Sequence, residues 1–223
     1  MANPGEAHQY RYAREEMVAF LPEGAVRVLD VGCGAGLFGA SLRLHRPDVE
    51  LWAIEPDADA ASSARSHYDR VVEGAFPDSD LPAAAFDAIY CNDVLEHMLE
   101  PASAIRACEG LLKPDGVLIA SIPNVRHITA LGPLLVRGDW TYREEGILDR
   151  THVRFFTRST AASLFTDLGW TLETFTGISR RVRLTEGDTA VLRTLHRLTR
   201  GRSDDFFFLQ YAIVARPPAL NRL

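Results

Sequence analysis

Several kinds of residue are scarce in this sequence of 223 residues. A single lysine, Lys113, stands among 24 basic residues, and the formal charge is −6. This acidic balance argues against a protein that binds nucleic acid or an anionic membrane surface. The three cysteines, Cys33, Cys91 and Cys108, are odd in number and lack metal-ligand spacing. We therefore expect buried, reduced thiols in a cytoplasmic protein, and no bound metal.

Long apolar runs are also lacking. No stretch reaches the roughly 18 residues that a membrane-spanning helix needs, and the first residues show no apolar signal-peptide core. The length fits one α/β domain with its own core better than two domains. Apolar and charged fractions of 47% and 24% are those of an ordinary globular protein.

A glycine-rich bend follows the first apolar run. Residues 26–29 predict a buried strand, and residues 37–45 predict a helix. Between them, glycine occupies every second position, at Gly32, Gly34 and Gly36. Glycine suits a bend whose dihedrals exclude other residues, or one that a ligand approaches closely. A strand, a glycine turn and a helix in this order predict a ligand site at the carboxyl edge of a parallel sheet.

Two classes of ligand compete for this bend. Residues 34–39 also fit the pattern G-x-G-x-x-G of dinucleotide enzymes, although a single match of that kind is weak. Asp30 is the one charged residue at the end of the strand, and it precedes the glycines. Its carboxylate repels a pyrophosphate and attracts an ammonium group. The pattern therefore favours a ligand that carries an ammonium group and no phosphate.

Residues 29–36, Leu-Asp-Val-Gly-Cys-Gly-Ala-Gly, resemble the first motif of the class I S-adenosylmethionine-dependent methyltransferases. Residues 86–98 resemble the fourth motif of the same family through Phe-Asp-x-Ile and Leu-Glu-His. The resemblance spans nearly the whole chain and implies S-adenosylmethionine as the cofactor. The cofactor-binding residues that it implies at these two motifs are Asp30, Gly32, Gly34, Gly36, Asn92 and Asp93.

The N-terminal part adds two candidates. Residues 10–20 predict a helix, because apolar residues recur there at helical spacing. By resemblance, a leading helix closes over the methionine end of the cofactor, which makes Tyr10 and Arg14 candidates to contact its carboxylate. The residues themselves fit a packing ring and a surface cation equally well.

The second predicted strand, residues 49–54, ends in Glu55 and Pro56. An acid about twenty residues past a glycine loop is placed to accept hydrogen bonds from a ribose diol. Dinucleotide enzymes share this feature, so it supports a nucleoside ligand without choosing between the two classes.

Adenine recognition is less clear from the sequence. Members of the family commonly carry an acid directly after the glycine of the next loop, where it holds the adenine amino group. Ala75 occupies that place here. Phe76 is a candidate to lie along the adenine face, and packing inward is its alternative.

Hydrophobic strands separated by helices predict a parallel sheet with helices on both faces. By resemblance, the last apolar run returns antiparallel between the fifth and sixth strands. The expected fold is α/β, a Rossmann-like seven-stranded mostly parallel sheet with an antiparallel last strand. We expect one methyltransferase domain over residues 1–223, divided into an N-terminal helix or cap (1–24), a cofactor-binding core (25–122), a substrate lid inserted after the fifth strand (123–156) and a C-terminal part of the sheet (157–223) with an insertion at 180–205.

Residues 123–156 are the least regular stretch, too long for a plain connection. Its mixed polar and aromatic residues suit a lid over a small polar substrate, and two segments look like those of a bacterial branch of small-molecule methyltransferases. A hydroxyl nucleophile gains from a general base, usually histidine. His152 is the first candidate base, Asp149 a candidate to orient it, and His127 the alternative. Each could instead be held by hydrogen bonds without a part in proton transfer.

The leading interpretation is a cytoplasmic methyltransferase that acts on a hydroxyl of a small molecule, such as a sugar, a lipid precursor or a secondary metabolite. N-methylation of a small amine, an NAD-dependent oxidoreductase and a non-catalytic cofactor-binding protein stay open as alternatives. The expected partner is the small-molecule acceptor, without nucleic acid or membrane, and a homodimer is left open. The arginine-rich residues 180–202 are flanked by acids and predict a solvated face rather than an RNA groove.

Overall fold

The computed structural model describes residues 13–77, 80–180 and 202–219. The strands are β1 (Arg27–Val31), β2 (Glu50–Glu55), β3 (Arg70–Glu73), β4 (Phe86–Asn92), β5 (Leu112–Pro123), β6 (Thr171–Arg180) and β7 (Phe208–Arg216). The α-helices are α1 (Leu37–His45), α2 (Ala58–Ala64), α3 (Pro101–Leu111), α4 (Ile128–Arg137) and α5 (Arg158–Thr166). Among these described helices, none is long and apolar enough to cross a bilayer. Of the insertion predicted at 180–205, residues 181–201 lie outside the described residues.

The described strands form one seven-stranded sheet in the order β3-β2-β1-β4-β5-β7-β6. The first five strands pair in parallel, and β7 pairs antiparallel with both β5 and β6. The predicted α/β fold is thereby confirmed, including the place of the last strand. Because parallel strands end at the same edge, the carboxyl ends of β1, β2, β4 and β5 come together there.

The central strands are apolar on both faces. On β1, Leu29 belongs to one buried apolar cluster and its neighbour Val28 to the other. On β4, Ile89 and Ala88 divide in the same way. Successive side chains of a strand point to opposite faces, so a continuous apolar run marks a strand that is covered on both sides.

The leading helix differs from the prediction. Tyr10 lies outside the described residues, and a 3₁₀ helix covers Glu15–Phe20. Arg14 precedes it with a φ of 46°, in the left-handed region. The Arg14 side chain donates from Nε to Oδ2 of Asp93 at 2.5 Å. A residue in the left-handed region does not belong to a right-handed helix. The prediction of an α-helix that runs through position 14 is therefore wrong.

The fifth strand begins earlier than the pattern predicts. The residues Lys-Pro-Asp-Gly at 113–116 predict the end of a helix, followed by a strand over 117–122, yet β5 includes all of them. The pairing register between β5 and β4 shifts between Phe86 and Ala88. The extra residues are absorbed as an irregularity of the ladder, which sequence periodicity does not reveal.

The stretch after β5 contains α4 and then a long irregular segment. An isolated bridge joins Asn124 to Phe156, so the two ends of this stretch lie together. The backbone amides of Val153 and Arg154 both donate to the carbonyl of Glu96 at 3.0 Å. These contacts hold the segment against the loop that follows β4, at the carboxyl edge of the sheet.

Candidate active site

A cavity of about 480 Å³ lies at the carboxyl edge of the sheet. The ends of β1, β2 and β4 line it together with the segment around residues 145–152. The predicted site residues that line it are Arg14, Asp30, Gly32, Gly34, Glu55, Pro56, Phe76, Asn92, Asp93, Asp149 and His152. The fold therefore brings the two motifs and the candidate lid to one space.

The glycine bend has the backbone that its sequence predicts. Gly32, Gly34 and Gly36 have φ values of 68°, 54° and 90°. At Gly32, an added Cβ would also come within 2.9 Å of Cγ2 of Val94. Positive φ at three positions excludes most side chains. Gly32 and Gly34 present bare backbone to the cavity, whereas Gly36 is not among its lining residues and packs against Ala64.

Asp30 is buried and already has a partner. The Tyr68 hydroxyl donates to Oδ2 of Asp30 at 2.5 Å. Burial raises the pKa of the Asp30 carboxyl to about 7, although the hydrogen bond from Tyr68 opposes this rise. The sequence predicted an acceptor that faces the ligand, and Asp30 does line the cavity. It was not apparent from the sequence that a tyrosine from beyond α2 holds this carboxyl.

Glu55 ties the glycine bend to the end of β2. Its Oε2 accepts from the backbone amide of Gly34 at 2.8 Å, and its Oε1 accepts from that of Asp57 at 3.0 Å. Burial raises the pKa of Glu55, and these two amides oppose the shift. Each carboxylate oxygen has a further lone pair, so Glu55 can still accept from the hydroxyls of a ribose.

Asn92 is a buried amide that faces the cavity. Neither its side-chain oxygen nor its nitrogen has a hydrogen-bond partner in the described part of the chain. Buried polar groups are almost always paired. An amide that donates and accepts fits the polar end of a bound amino-acid group, so the residues present fit a cofactor of that kind.

Asp93 belongs to a polar network. Besides Arg14, the side chain of Gln210 donates to it, and the Ser121 hydroxyl lies 3.4 Å from its Oδ1. The Arg14 guanidinium was a candidate to bind the carboxylate of the cofactor. Its contacts include Asp93 and, at 3.7 Å, Glu16, so it lines the cavity with its charge turned toward acids.

Beside the end of β2, the wall of the cavity includes apolar residues. These residues are Pro56, Ala75 and Phe76. Phe76 also packs against the core cluster that contains Leu29 and Ile89. The ring therefore packs inward on one side and borders the cavity on the other.

His152 comes from the segment after β5 and meets the loop after β4. Its Nδ1 lies 2.9 Å from the carbonyl oxygen of Ile147, and its Nε2 lies 3.9 Å from Oε1 of Glu96. The ring of His97 stands at 74° to it, with 4.8 Å between the ring centres. Burial lowers the pKa of His97, and the neighbouring His152 lowers it further. Both imidazoles thus adjoin one buried carboxyl group.

Asp149 has a different role from the one predicted. Its Oδ1 accepts from the backbone amide and the hydroxyl of Thr151, at 2.7 and 2.6 Å. The same hydroxyl lies 3.1 Å from Nδ1 of His97. Asp149 therefore orients His97 through Thr151, while a backbone carbonyl orients His152. An acid two residues before a threonine readily closes such a local turn.

His127, the alternative base, is buried away from the residues that line this cavity. Its Nδ1 lies 2.8 Å from the Thr129 hydroxyl at the start of α4. It also accepts from the Thr129 amide as the cap of that helix. The geometry gives His127 a structural part in α4 and removes it as a base for this cavity.

A family comparison decides the class. Residues 6–174 match the model of a methyltransferase domain family. The chain belongs to this family. The prediction of a class I S-adenosylmethionine-dependent methyltransferase, which depended on the glycine bend and on Leu-Glu-His, is confirmed.

Curated relatives of this methyltransferase match only part of it. The ubiquinone biosynthesis O-methyltransferase of Alkalilimnicola ehrlichii is 38% identical over 107 residues, which cover 44% of this chain and 42% of that protein. The protein of the same name from Xanthomonas axonopodis pv. citri is 37% identical over 117 residues, covering 49% and 48%. The chain thus spans less than half the length of these relatives.

Solved structures share the fold of this methyltransferase. An S-adenosylmethionine-dependent methyltransferase from Archaeoglobus fulgidus has a TM-score of 0.60 at 21% identity, covering 93% of this chain and 96% of that one. The [4+2]-cyclase SpnF has a TM-score of 0.61 at 23% identity, covering 92% and 80%. Since a cyclase has the same fold, the reaction must be argued from the site.

Sequence reasoning missed one prominent residue of the methyltransferase site. Glu96 is 1% exposed, and neither of its carboxylate oxygens has a hydrogen-bond partner among the described residues. Burial, with the nearby charge of Asp93, raises its pKa well above the ordinary value. The only sign of Glu96 in the sequence was its position within the motif Leu-Glu-His. That motif does not show that the side chain of the acid turns inward.

Proposed function

We propose that this chain transfers a methyl group from S-adenosylmethionine to a hydroxyl of a small molecule. One observation supports this most directly. One cavity is lined both by Glu55 and Phe76, which we assign to its nucleoside end, and by His97 and His152, which we assign to its acceptor end, and the unpartnered amide of Asn92 is also in its wall. The O-methyltransferase names of the curated relatives agree with a hydroxyl acceptor.

The cofactor side of the proposal assigns a part to each residue. Glu55 accepts from the ribose hydroxyls, Phe76 borders the adenine, and Asn92 bonds the amino-acid end. The cofactor, when bound, supplies a methyl group on a positively charged sulfur. The bare backbone of the glycine bend allows close approach without a side-chain collision, and the neighbouring carboxyls suit a cation better than a pyrophosphate.

The acceptor side needs a group that takes up a proton. The Nδ1 atom of His152 faces a carbonyl oxygen, which only accepts, so Nδ1 carries the hydrogen. In the neutral ring, the lone pair is therefore on Nε2, which faces Glu96. A hydroxyl that enters between them meets an acceptor set in place by the fold. The site also accelerates the reaction by holding the nucleophile and the methyl group in line.

Binding of the cofactor product is the first test of the proposal. In calorimetry, S-adenosylhomocysteine is expected to bind with a dissociation constant in about the micromolar range, and NAD is expected not to bind. The Asp30 carboxyl group lies beside the glycine bend, which is where a dinucleotide would place its pyrophosphate. NAD binding without S-adenosylhomocysteine binding would support an oxidoreductase. Binding of S-adenosylhomocysteine without methyl transfer to any hydroxylated acceptor would support a non-catalytic binding protein.

Replacing His152 with alanine is expected to slow methyl transfer by at least about tenfold, since general bases contribute roughly 10²–10⁴-fold. The affinity for S-adenosylhomocysteine should stay nearly unchanged. The readout is transfer of labelled methyl to a hydroxylated small-molecule fraction, with cofactor affinity measured by calorimetry. His45→Ala serves as the matched control, since this half-exposed histidine ends α1 away from the cavity. Equal turnover in both variants would remove His152 from the mechanism.

A further inference from the structure

Three side chains converge at the acceptor end of the cavity, and each directs an atom that can ligate a metal ion toward the other two. The carboxylate of Glu96 and one ring nitrogen each from His97 and His152 lie within 4.8 Å of one another. Two of the three residues are buried, and the third is half-buried. What occupies the space between them depends on which ring nitrogens carry hydrogen.

The hydrogen bonds of His97 fix its tautomer. The Thr151 hydroxyl donates to Oδ1 of Asp149 at 2.6 Å, which uses its one hydrogen. The same hydroxyl oxygen must then accept from Nδ1 of His97, 3.1 Å away. Nε2 of His97 is left with a lone pair.

His152 is fixed in the same way. Its Nδ1 faces the carbonyl oxygen of Ile147 at 2.9 Å and must donate to it. Its Nε2 lone pair therefore points into the same space, 3.9 Å from Oε1 of Glu96. Histidines that ligate metals donate their other ring N–H to a carbonyl or, directly or through a further group, to a carboxylate. Both rings have that arrangement here.

Glu96 completes the set. Its side chain is 1% exposed, and both oxygens lack a hydrogen-bond partner among the described residues. A buried carboxyl group without a partner is ionised only at a cost, which a bound cation offsets. Once Glu96 is ionised, its carboxylate and the two ring-nitrogen lone pairs are three acceptors that face one point, and this arrangement is a site for a positive ion.

We propose that Glu96, His97 and His152 bind a divalent transition-metal ion of the zinc type. Two imidazoles and one carboxylate form a familiar ligand set of catalytic zinc, with a further position open to substrate. Imidazole ligands favour such ions over Mg²⁺ and Ca²⁺, which prefer oxygen. Ligands at roughly 2.1 Å from one ion lie at most about 4.2 Å apart, so the three atoms need to approach by less than about 1 Å.

The sequence alone predicted no metal, because it offered no short-range ligand spacing. His97 and His152 are distant in the chain, and only the return of the long segment to the loop after β4 brings them together. The open position would lie in the cavity, beside the acceptor end. A role of the ion in methyl transfer rests on the proposed function. The binding of the ion to these three residues does not. With the ion bound, His152 is a ligand, and the positive charge lowers the pKa of the acceptor hydroxyl in place of a base.

The test is titration of the metal-free full-length chain with Co²⁺, followed by visible absorption, and with Zn²⁺, followed by calorimetry. One equivalent is expected to bind, with the visible bands of a low-coordinate Co²⁺ site, and Mg²⁺ is expected not to compete. Glu96→Gln should weaken binding by more than about 100-fold. Thr151→Val, which removes the hydroxyl that holds His97, should weaken it by roughly 10- to 100-fold.

His45→Ala is the control and should bind Co²⁺ as the unaltered chain does. Near-ultraviolet circular dichroism and S-adenosylhomocysteine affinity verify that each variant is folded. The proposal is overturned if the unaltered chain binds neither ion, or if Glu96→Gln and His152→Ala bind as well as His45→Ala. Such a failure, together with retained S-adenosylhomocysteine binding and slow turnover of His152→Ala, would leave the proposed methyl transfer standing with His152 as a simple base.

Discussion

Replacing Glu55 with alanine is expected to weaken S-adenosylhomocysteine binding by at least about 100-fold. The carboxylate holds the Gly34 amide at 2.8 Å and the Asp57 amide at 3.0 Å, so its loss releases both the glycine bend and the end of β2. It also removes the proposed acceptor for the ribose hydroxyls. Hydrogen bonds to a charged group contribute about 1.5–3 kcal/mol each. The loss of two such bonds, one to each ribose hydroxyl, lowers the affinity by more than about a hundredfold.

Glu50→Ala is the matched control for that experiment. Glu50 stands at the other end of β2, where Oε2 accepts from Arg27 at 2.7 Å and Oε1 from the Trp52 indole at 2.8 Å. Its loss should leave the affinity for S-adenosylhomocysteine unchanged, as calorimetry on both variants would measure. Equal affinity of Glu55→Ala and the unaltered chain would mean that Glu55 neither contacts the ligand nor holds the glycine bend in the form that binds it.

Replacing Asp30 with asparagine is expected to change how stability depends on pH. Burial raises the pKa of Asp30 to about 7 in the folded chain, against about 3.9 when unfolded. The folded state therefore binds the proton more tightly than the unfolded state does. This contributes stability that is fully present below about pH 4 and is lost as the pH rises to about 7. The asparagine side chain keeps an acceptor for Tyr68 and does not titrate.

Urea denaturation of both proteins at about pH 5 and pH 8 measures the effect. Relative to the unaltered chain, Asp30→Asn should gain about 2–3 kcal/mol between the two conditions, as the linkage relation gives for these pKa values. Asp87→Asn provides a control that should show no such gain between these two conditions. Burial opposes the shift, but hydrogen bonds from Lys113 and from the amides of Val26 and Arg27 lower the pKa of Asp87. Its stabilisation is therefore lost only as the pH falls below about 4, outside both conditions. A parallel pH dependence of Asp30→Asn and the unaltered chain would contradict the raised pKa.

The predictions that depended on local pattern agree with the structure. The apolar runs at β1 and β2 appear close to their expected bounds, because a strand buried on both faces leaves a continuous apolar signature. The bend at Gly32, Gly34 and Gly36 has positive φ at each glycine, which is the conformation that such spacing favours. The antiparallel β7 came from resemblance, and its pairing with β5 and β6 confirms it.

The predictions that depended on distant contacts agree less well. Asp149 was expected to orient His152, yet it holds Thr151 and through it His97. His127 was an alternative base, yet it caps α4. Arg14 was expected on a helix, yet it has a left-handed backbone and pairs with Asp93. In each case the side chain contacts a different partner from the one predicted. The path of the connecting segments through space determines which partner is near, and the local sequence does not show that path.

The sequence by itself determined the sheet, the glycine bend and the class of ligand that the bend admits. These depend on backbone dihedrals and on alternation of side chains, which a few consecutive residues encode. Only the tertiary structure decided that Tyr68 holds Asp30 and that Glu96 turns inward between His97 and His152. Those pairings join residues from separate loops, and their energy comes from burial and from the removal of water, which no local pattern records.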